Sequence, residues 1–162
     1  MFNLKAKFYL KIIFVFSFVA LISAYFIEHF LGHKPCNLCL IERIPYGISL
    51  VLITVIFVLN KNERFFIILL ILTFIFAFSI SVYHYGIEQG FFQESAVCGV
   101  KNFTETISKE DLIKQLNEKI ISCKDVTFRI FGLSLTSINI VINIILIITL
   151  SKIYTHYEKK KY

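Results

Sequence analysis

Four long apolar stretches dominate this chain of 162 residues, at 8–27, 40–59, 65–83 and 133–153. Each is close to the roughly 20 apolar residues that cross a bilayer as a helix. Lys11 alone interrupts the first, Glu42 and Arg43 fall in the first turn of the second, the third has no charge, and Lys152 stands near the end of the fourth. The stretches are rich in β-branched residues. In lipid, however, backbone polar groups find no water, and spans of this length satisfy themselves as helices. Composition agrees: 57% hydrophobic and 17% charged, against about 25% charged in ordinary soluble domains. Disorder and a disulfide-rich miniprotein fail on the same numbers, since four cysteines in 162 residues are sparse. The first stretch has the basic start of a signal peptide, but its apolar core is long and Ser23 and Ala24 make a poor cleavage site, so a retained helix is expected. The predicted fold is all-α: one integral membrane domain over 1–162, a left-handed antiparallel four-helix bundle.

Charge sets the expected orientation. With both termini on one side, that side also holds the turn at 60–64 and carries a net +7, while the other side carries −1, together the chain's +6. Lys and Arg concentrate on the cytoplasmic side, so both termini are predicted to be cytoplasmic and the loops at about 28–43 and 84–132 periplasmic. The +6 thus reports topology, and no nucleic-acid partner is expected. The second loop is long enough to be functional. It contains one predicted short helix, capped by Ser108 with Asp111 answering, whose Leu112, Leu116 and Ile120 suit either a membrane surface or packing on the helix ends.

All four cysteines, Cys36, Cys39, Cys98 and Cys123, fall in these two loops, on the side where disulfides persist. Four cysteines allow three pairings; local spacing makes Cys36–Cys39 with Cys98–Cys123 the simplest. Cys36-Asn37-Leu38-Cys39 is a CxxC. As half of a zinc site it needs further ligands, for which Cys98, Cys123, His29 and His33 are the candidates; the preferred reading has no metal. As a redox pair it gains from position. It lies where the second span begins, and a helix N-terminus lowers a thiol's pKa. Arg43 is one helical turn from Cys39 and brings a cation to membrane depth, where charges are functional candidates by default; pairing with Glu42 or another acid is the plainer role. No dinucleotide fingerprint or haem CxxCH is present, so a membrane quinone is the acceptor that best fits this location.

The block Pro35-Cys36-Asn37-Leu38-Cys39-Leu40-Ile41-Glu42-Arg43 resembles the DsbB family of disulfide-forming membrane proteins. So do Tyr83-His84-Tyr85-Gly86-Ile87-Glu88-Gln89-Gly90, similar to the YHxGxE segment of one branch, and Cys123-Lys124-Asp125 followed by Phe131-Gly132-Leu133-Ser134. The resemblance spans nearly the whole chain. It implies a thiol:quinone oxidoreductase of the bacterial inner membrane. Cys98–Cys123 would be the disulfide offered to a DsbA-like, thioredoxin-fold periplasmic partner. Cys123, once freed, would attack Cys36, and Cys39 would be released as the thiolate facing ubiquinone or menaquinone. Catalytic roles therefore fall to Cys36, Cys39, Cys98 and Cys123, and quinone contact to Arg43, His84 and Glu42.

Other residues carry weaker expectations. His84 suits proton handling or a helix-end hydrogen bond. Glu88 reads as a partner of Arg43, a residue lining the same pocket, or a solvated loop acid, and Asp125 as a proton carrier or a balance to Lys124. Asn139 and Asn143 share one face of the fourth span and suit helix joining. A reductive relay like that of the vitamin K epoxide reductase group, and a non-enzymatic zinc-binding or assembly protein, are the competing functions. The order of the cysteine pairs favours the DsbB pattern over the former.

Overall fold

The computed structural model describes residues 4–33, 35–59, 62–93, 123–124, 129–130 and 132–159. The predicted helix of the second loop, with Cys98 and Asp125, lies outside them. Among the described residues four long helices follow in order: α1 (Leu4–His29), α2 (Asn37–Leu59), α3 (Glu63–Glu88) and α4 (Leu135–Lys159). All four are long and apolar enough to cross a membrane. Before α4, the strands β1 (Arg129–Ile130) and β2 (Leu133–Ser134) form a small antiparallel hairpin, Arg129 opposite Ser134. Gly132, at φ +83°, supplies the left-handed backbone its turn requires.

The helices outrun the predicted spans, and the extra turns matter. α2 begins at Asn37, so Cys39 sits inside its first turn. α3 continues past Tyr83, which places His84 and Glu88 on a helix. Its end is a Schellman closure: the Phe91 N–H bonds to the Gly86 carbonyl (2.8 Å) and the Gly90 N–H to that of Ile87 (3.0 Å), with Gly90 at φ +78°, the left-handed residue this motif needs. α4 starts two residues late because Leu133 and Ser134 are spent on the hairpin.

α3 is the central element, packing extensively against both α2 and α4, while α1 packs chiefly on α2. Leu10, Ile53, Ile67, Leu70, Phe74 and Leu150 are fully buried between the helices. The outward faces are apolar as well: Phe8, Val15, Val51, Phe65, Phe76 and Val141 are all more than half exposed. Water would not tolerate apolar patches of that extent; hydrocarbon does.

With lipid outside as apolar as the interior, burial does little to choose helix partners, and small and polar side chains do more. Ser49 donates to Ser17 across α1 and α2 (3.0 Å). Asn139 of α4 donates to Glu42 of α2 and to Ser81 of α3 (both 2.9 Å) and accepts from Tyr46 (2.5 Å). Asn143, fully buried, also reaches Ser81 (3.5 Å). Asn139 thus performs the expected joining. Asn139→Ala, which strips partners from Glu42 and Tyr46, is expected to cost about 1–3 kcal/mol. Ser17→Ala should cost only about 0.6 kcal/mol. Thermal unfolding of the two variants in detergent checks the order.

Candidate functional site

Cys36 immediately precedes α2 and Cys39 lies in its first turn. Both are free thiols, Cys36 buried and Cys39 half-buried. Their sulfurs share a hydrogen bond at 2.7 Å, and the Cys39 backbone N–H donates to Cys36 Sγ at 3.3 Å. That second bond follows from the fold. The first amides of a helix have no partner within it, and a CxxC at this position turns one of them onto its own first sulfur.

α3 supplies the next group. His84 Nε2 lies 3.5 Å from Cys36 Sγ, and His84 Nδ1 lies 2.9 Å from Glu42 Oε1. His84 is 2% exposed in its side chain and Glu42 11%. Sulfur, imidazole and carboxylate therefore stand in line, and the carboxylate fixes which ring nitrogen faces the sulfur. The hydrogen bond from Cys39 holds the Cys36 thiol well below its ordinary pKa; burial opposes this, and the hydrogen bond and charge of His84 reinforce it. Thr136, at the start of α4, closes the arrangement. Its hydroxyl donates to Glu88 Oε1 (2.6 Å) and lies 3.3 Å from His84 Nδ1. Glu88 Oε1 is 3.9 Å from His84 Nε2.

Cys123 is disulfide-bonded. It is buried in one cluster with Cys36, Leu38 and Ile87, against which Cys39 also packs. The expected disulfide partner, Cys98, is outside the described residues.

Arg43 takes the plainer of its expected roles and pairs with an acid, one on α1. Its guanidinium donates to Glu28 of α1 (2.5 Å) and to the Ala24 carbonyl (3.4 Å), and covers the Tyr25 ring at 5.1 Å. It thus clasps α2 to α1 and pairs with neither Glu42 nor Glu88. Glu88 is likewise no solvated loop acid: its side chain is 6% exposed. Arg43 does border a cleft of about 560 Å³ between α1 and α2, lined otherwise by uncharged side chains that include Leu21, Tyr25, Leu40, Ile44 and Val51. Of the sulfur and imidazole candidates, Cys36, Cys39 and His84 bring their ligand atoms within 4.8 Å of one another. His29, considered with the loop cysteines as a zinc ligand, instead turns its Nδ1 to the Tyr25 carbonyl (3.1 Å).

The pairing of Glu42 with His84 and the part of Thr136 are not legible in the sequence. One signal was available: His84 and Glu88 are four apart, hence on one face of any helix that continues past Tyr83.

Four membrane-length helices with a free CxxC pair at one end, and a disulfide packed beside it, define a membrane protein built for thiol–disulfide chemistry. The comparisons agree. The family model "Disulfide bond formation protein DsbB" matches residues 6–152, and the chain belongs to that family of membrane disulfide oxidoreductases. It is also similar to the uncharacterized protein RP370 of Rickettsia prowazekii (strain Madrid E), with 30% identity over 148 residues, 90% of this chain and 86% of that protein.

If His84 activates Cys36, then in a Cys39→Ser background His84→Ala should slow alkylation of Cys36 at neutral pH by about tenfold. Loss of the imidazole lowers the thiolate fraction, and the higher nucleophilicity of the more basic thiolate offsets part of that loss. Iodoacetamide labelling followed by peptide mass spectrometry measures the rate.

Proposed function

We propose that this protein reoxidises a periplasmic, DsbA-like thioredoxin-fold dithiol and passes the electrons to a membrane quinone, with 1–162 acting as one unit in the bacterial inner membrane. The observation that carries this reading is the burial of disulfide-bonded Cys123 in the same cluster as Cys36. A two-pair relay needs that proximity, and neither a lone structural disulfide nor a lone CxxC explains it.

The exchange balances as follows. A partner thiolate attacks Cys98 of the Cys98–Cys123 disulfide, forming a mixed disulfide and freeing Cys123. Cys123 attacks Cys36 of the oxidised CxxC, forming Cys36–Cys123 and releasing Cys39 as a thiolate. The partner's second thiol resolves the mixed disulfide, so the partner leaves oxidised and Cys98 is left as a thiol. Cys98 then attacks Cys123, restores Cys98–Cys123 and expels Cys36. The CxxC now carries two electrons and two protons. A quinone bound beside the pair would supply the two-electron acceptor, and Cys36–Cys39 would re-form as both electrons and both protons leave.

The residues around the sulfurs suit this sequence. The Cys39 amide and His84 stabilise Cys36 when it is the leaving thiolate, and Glu42 holds the imidazole in register as the proton moves. The cleft between α1 and α2 opens beside Leu40 and Arg43, one residue and one turn beyond Cys39. It offers an apolar wall with a fixed cation, which favours negative charge developing on a quinone oxygen.

Anaerobic quinone reduction by a reduced thioredoxin-fold partner tests the reading. Cys36→Ser and Cys39→Ser are each expected to abolish turnover; unchanged turnover in either overturns the relay. Arg43→Ala is expected to raise the apparent quinone KM more than it alters the partner step. The reverse pattern would remove Arg43 from the quinone site.

A further inference from the structure

We propose that Cys36, Cys39 and His84, with the CxxC reduced, form a binding site for a thiophilic divalent cation of the zinc class. The three ligand atoms lie within 4.8 Å of one another. Tetrahedral zinc with metal–sulfur and metal–nitrogen bonds of about 2.3 and 2.0 Å separates sulfur from nitrogen by about 3.5 Å. Cys36 Sγ and His84 Nε2 already stand 3.5 Å apart. The two sulfurs, at 2.7 Å, must open by about 1 Å to share an ion, which a side-chain rotation of Cys39 accomplishes.

The surroundings are those of a metal ligand set. His84 presents Nε2 to the cluster while Nδ1 is held by Glu42 at 2.9 Å, the carboxylate–histidine arrangement that orients a metal-bound imidazole. A second, independent feature points the same way. Glu88, 6% exposed in its side chain, lies with Oε1 3.9 Å from His84 Nε2, and its Oε2 is buried without a hydrogen-bond partner among the described residues. A buried carboxylate oxygen left unpaired is costly. A water completing the metal's tetrahedron would supply its missing donor.

Binding is acid–base chemistry with no electron transfer. The Cys36–His84 pair and Cys39 together shed two protons, and the ion gains two thiolates and a neutral imidazole nitrogen. The oxidised pair has no thiolate to give, so the site exists only in the reduced state, and an occupied site withdraws both sulfurs from exchange. It needs only the reduced pair and is independent of whether a quinone is the acceptor.

The test uses the full-length protein in detergent, reduced, desalted anaerobically and carrying Cys98→Ser with Cys123→Ser so that only one pair remains. Titration with Co²⁺ is expected to give one ion per chain, with thiolate charge-transfer and tetrahedral d–d bands that Zn²⁺ displaces. Cys36→Ser and Cys39→Ser should lose the charge-transfer intensity in part and bind at least about tenfold more weakly. Glu42→Gln should retain the bands and bind about 10- to 100-fold more weakly. His84→Ala should lose the tetrahedral pattern, with His84→Asn as the companion variant if the alanine form does not fold. The same protein with Cys36–Cys39 oxidised should bind nothing. Absence of the bands in the reduced protein, their persistence in the oxidised one, or an unchanged spectrum in the histidine variants overturns the site.

Discussion

A carboxylate withdrawn from water between two helices must find its hydrogen bonds there, and Glu42 finds them on both sides. One oxygen meets His84 of α3 and the other accepts from Asn139 of α4, each at 2.9 Å. Removing any one of the three would leave a buried polar group unpaired, which costs more than the bond itself contributes. This is what sets the rotation of α2 and α3 about their own axes. The surrounding lipid cannot do so, since it is as apolar as the side chains they bury. The CxxC inherits its geometry from that constraint: with α2 fixed in rotation, Cys36 faces the imidazole and Cys39 packs into the same apolar cluster.

The neighbouring pair Glu42 and Arg43 shows how one turn of helix serves two faces. Successive residues diverge by about 100° around a helix. When Glu42 points to α3, Arg43 must point elsewhere, and α1 receives it through Glu28 and Tyr25. The cation therefore stands at the cleft between α1 and α2, while the imidazole stands at the sulfurs between α2 and α3. A Cys39–Arg43 pairing by spacing alone ignores the acid on α1 that competes for the guanidinium.

Local information made the four helices legible, because length and hydropathy suffice for that. Their ends were less so. The polar run after Tyr83 reads as the close of a membrane span, yet α3 goes on to Glu88 because it ends at the left-handed Gly90, and membrane depth does not decide where its backbone bonds stop. The cysteine chemistry was legible from the CxxC and its neighbours. The network behind it was not: Glu42 and His84 are 42 residues apart and Glu42 and Asn139 are 97 apart, and no periodicity links residues across three helices. Glu88 shows both effects together: it lies beyond the expected end of the third span, and its partner Thr136 is 48 residues away.

The two sulfurs of the CxxC are chemically unequal, and the inequality comes from the backbone. Cys36 precedes the helix and receives an amide and an imidazole nitrogen. Cys39, inside the first turn, has committed its own amide to Cys36. In the proposed relay Cys36 is the sulfur that Cys123 attacks and later leaves, so its donors stabilise the charge at the step that needs it. Cys39 leaves first, with fewer donors, and is the more reactive thiolate for that reason. A thiolate poorly stabilised by its surroundings passes its electrons on readily, and Cys39 stands one turn from the cleft between α1 and α2 that Arg43 borders.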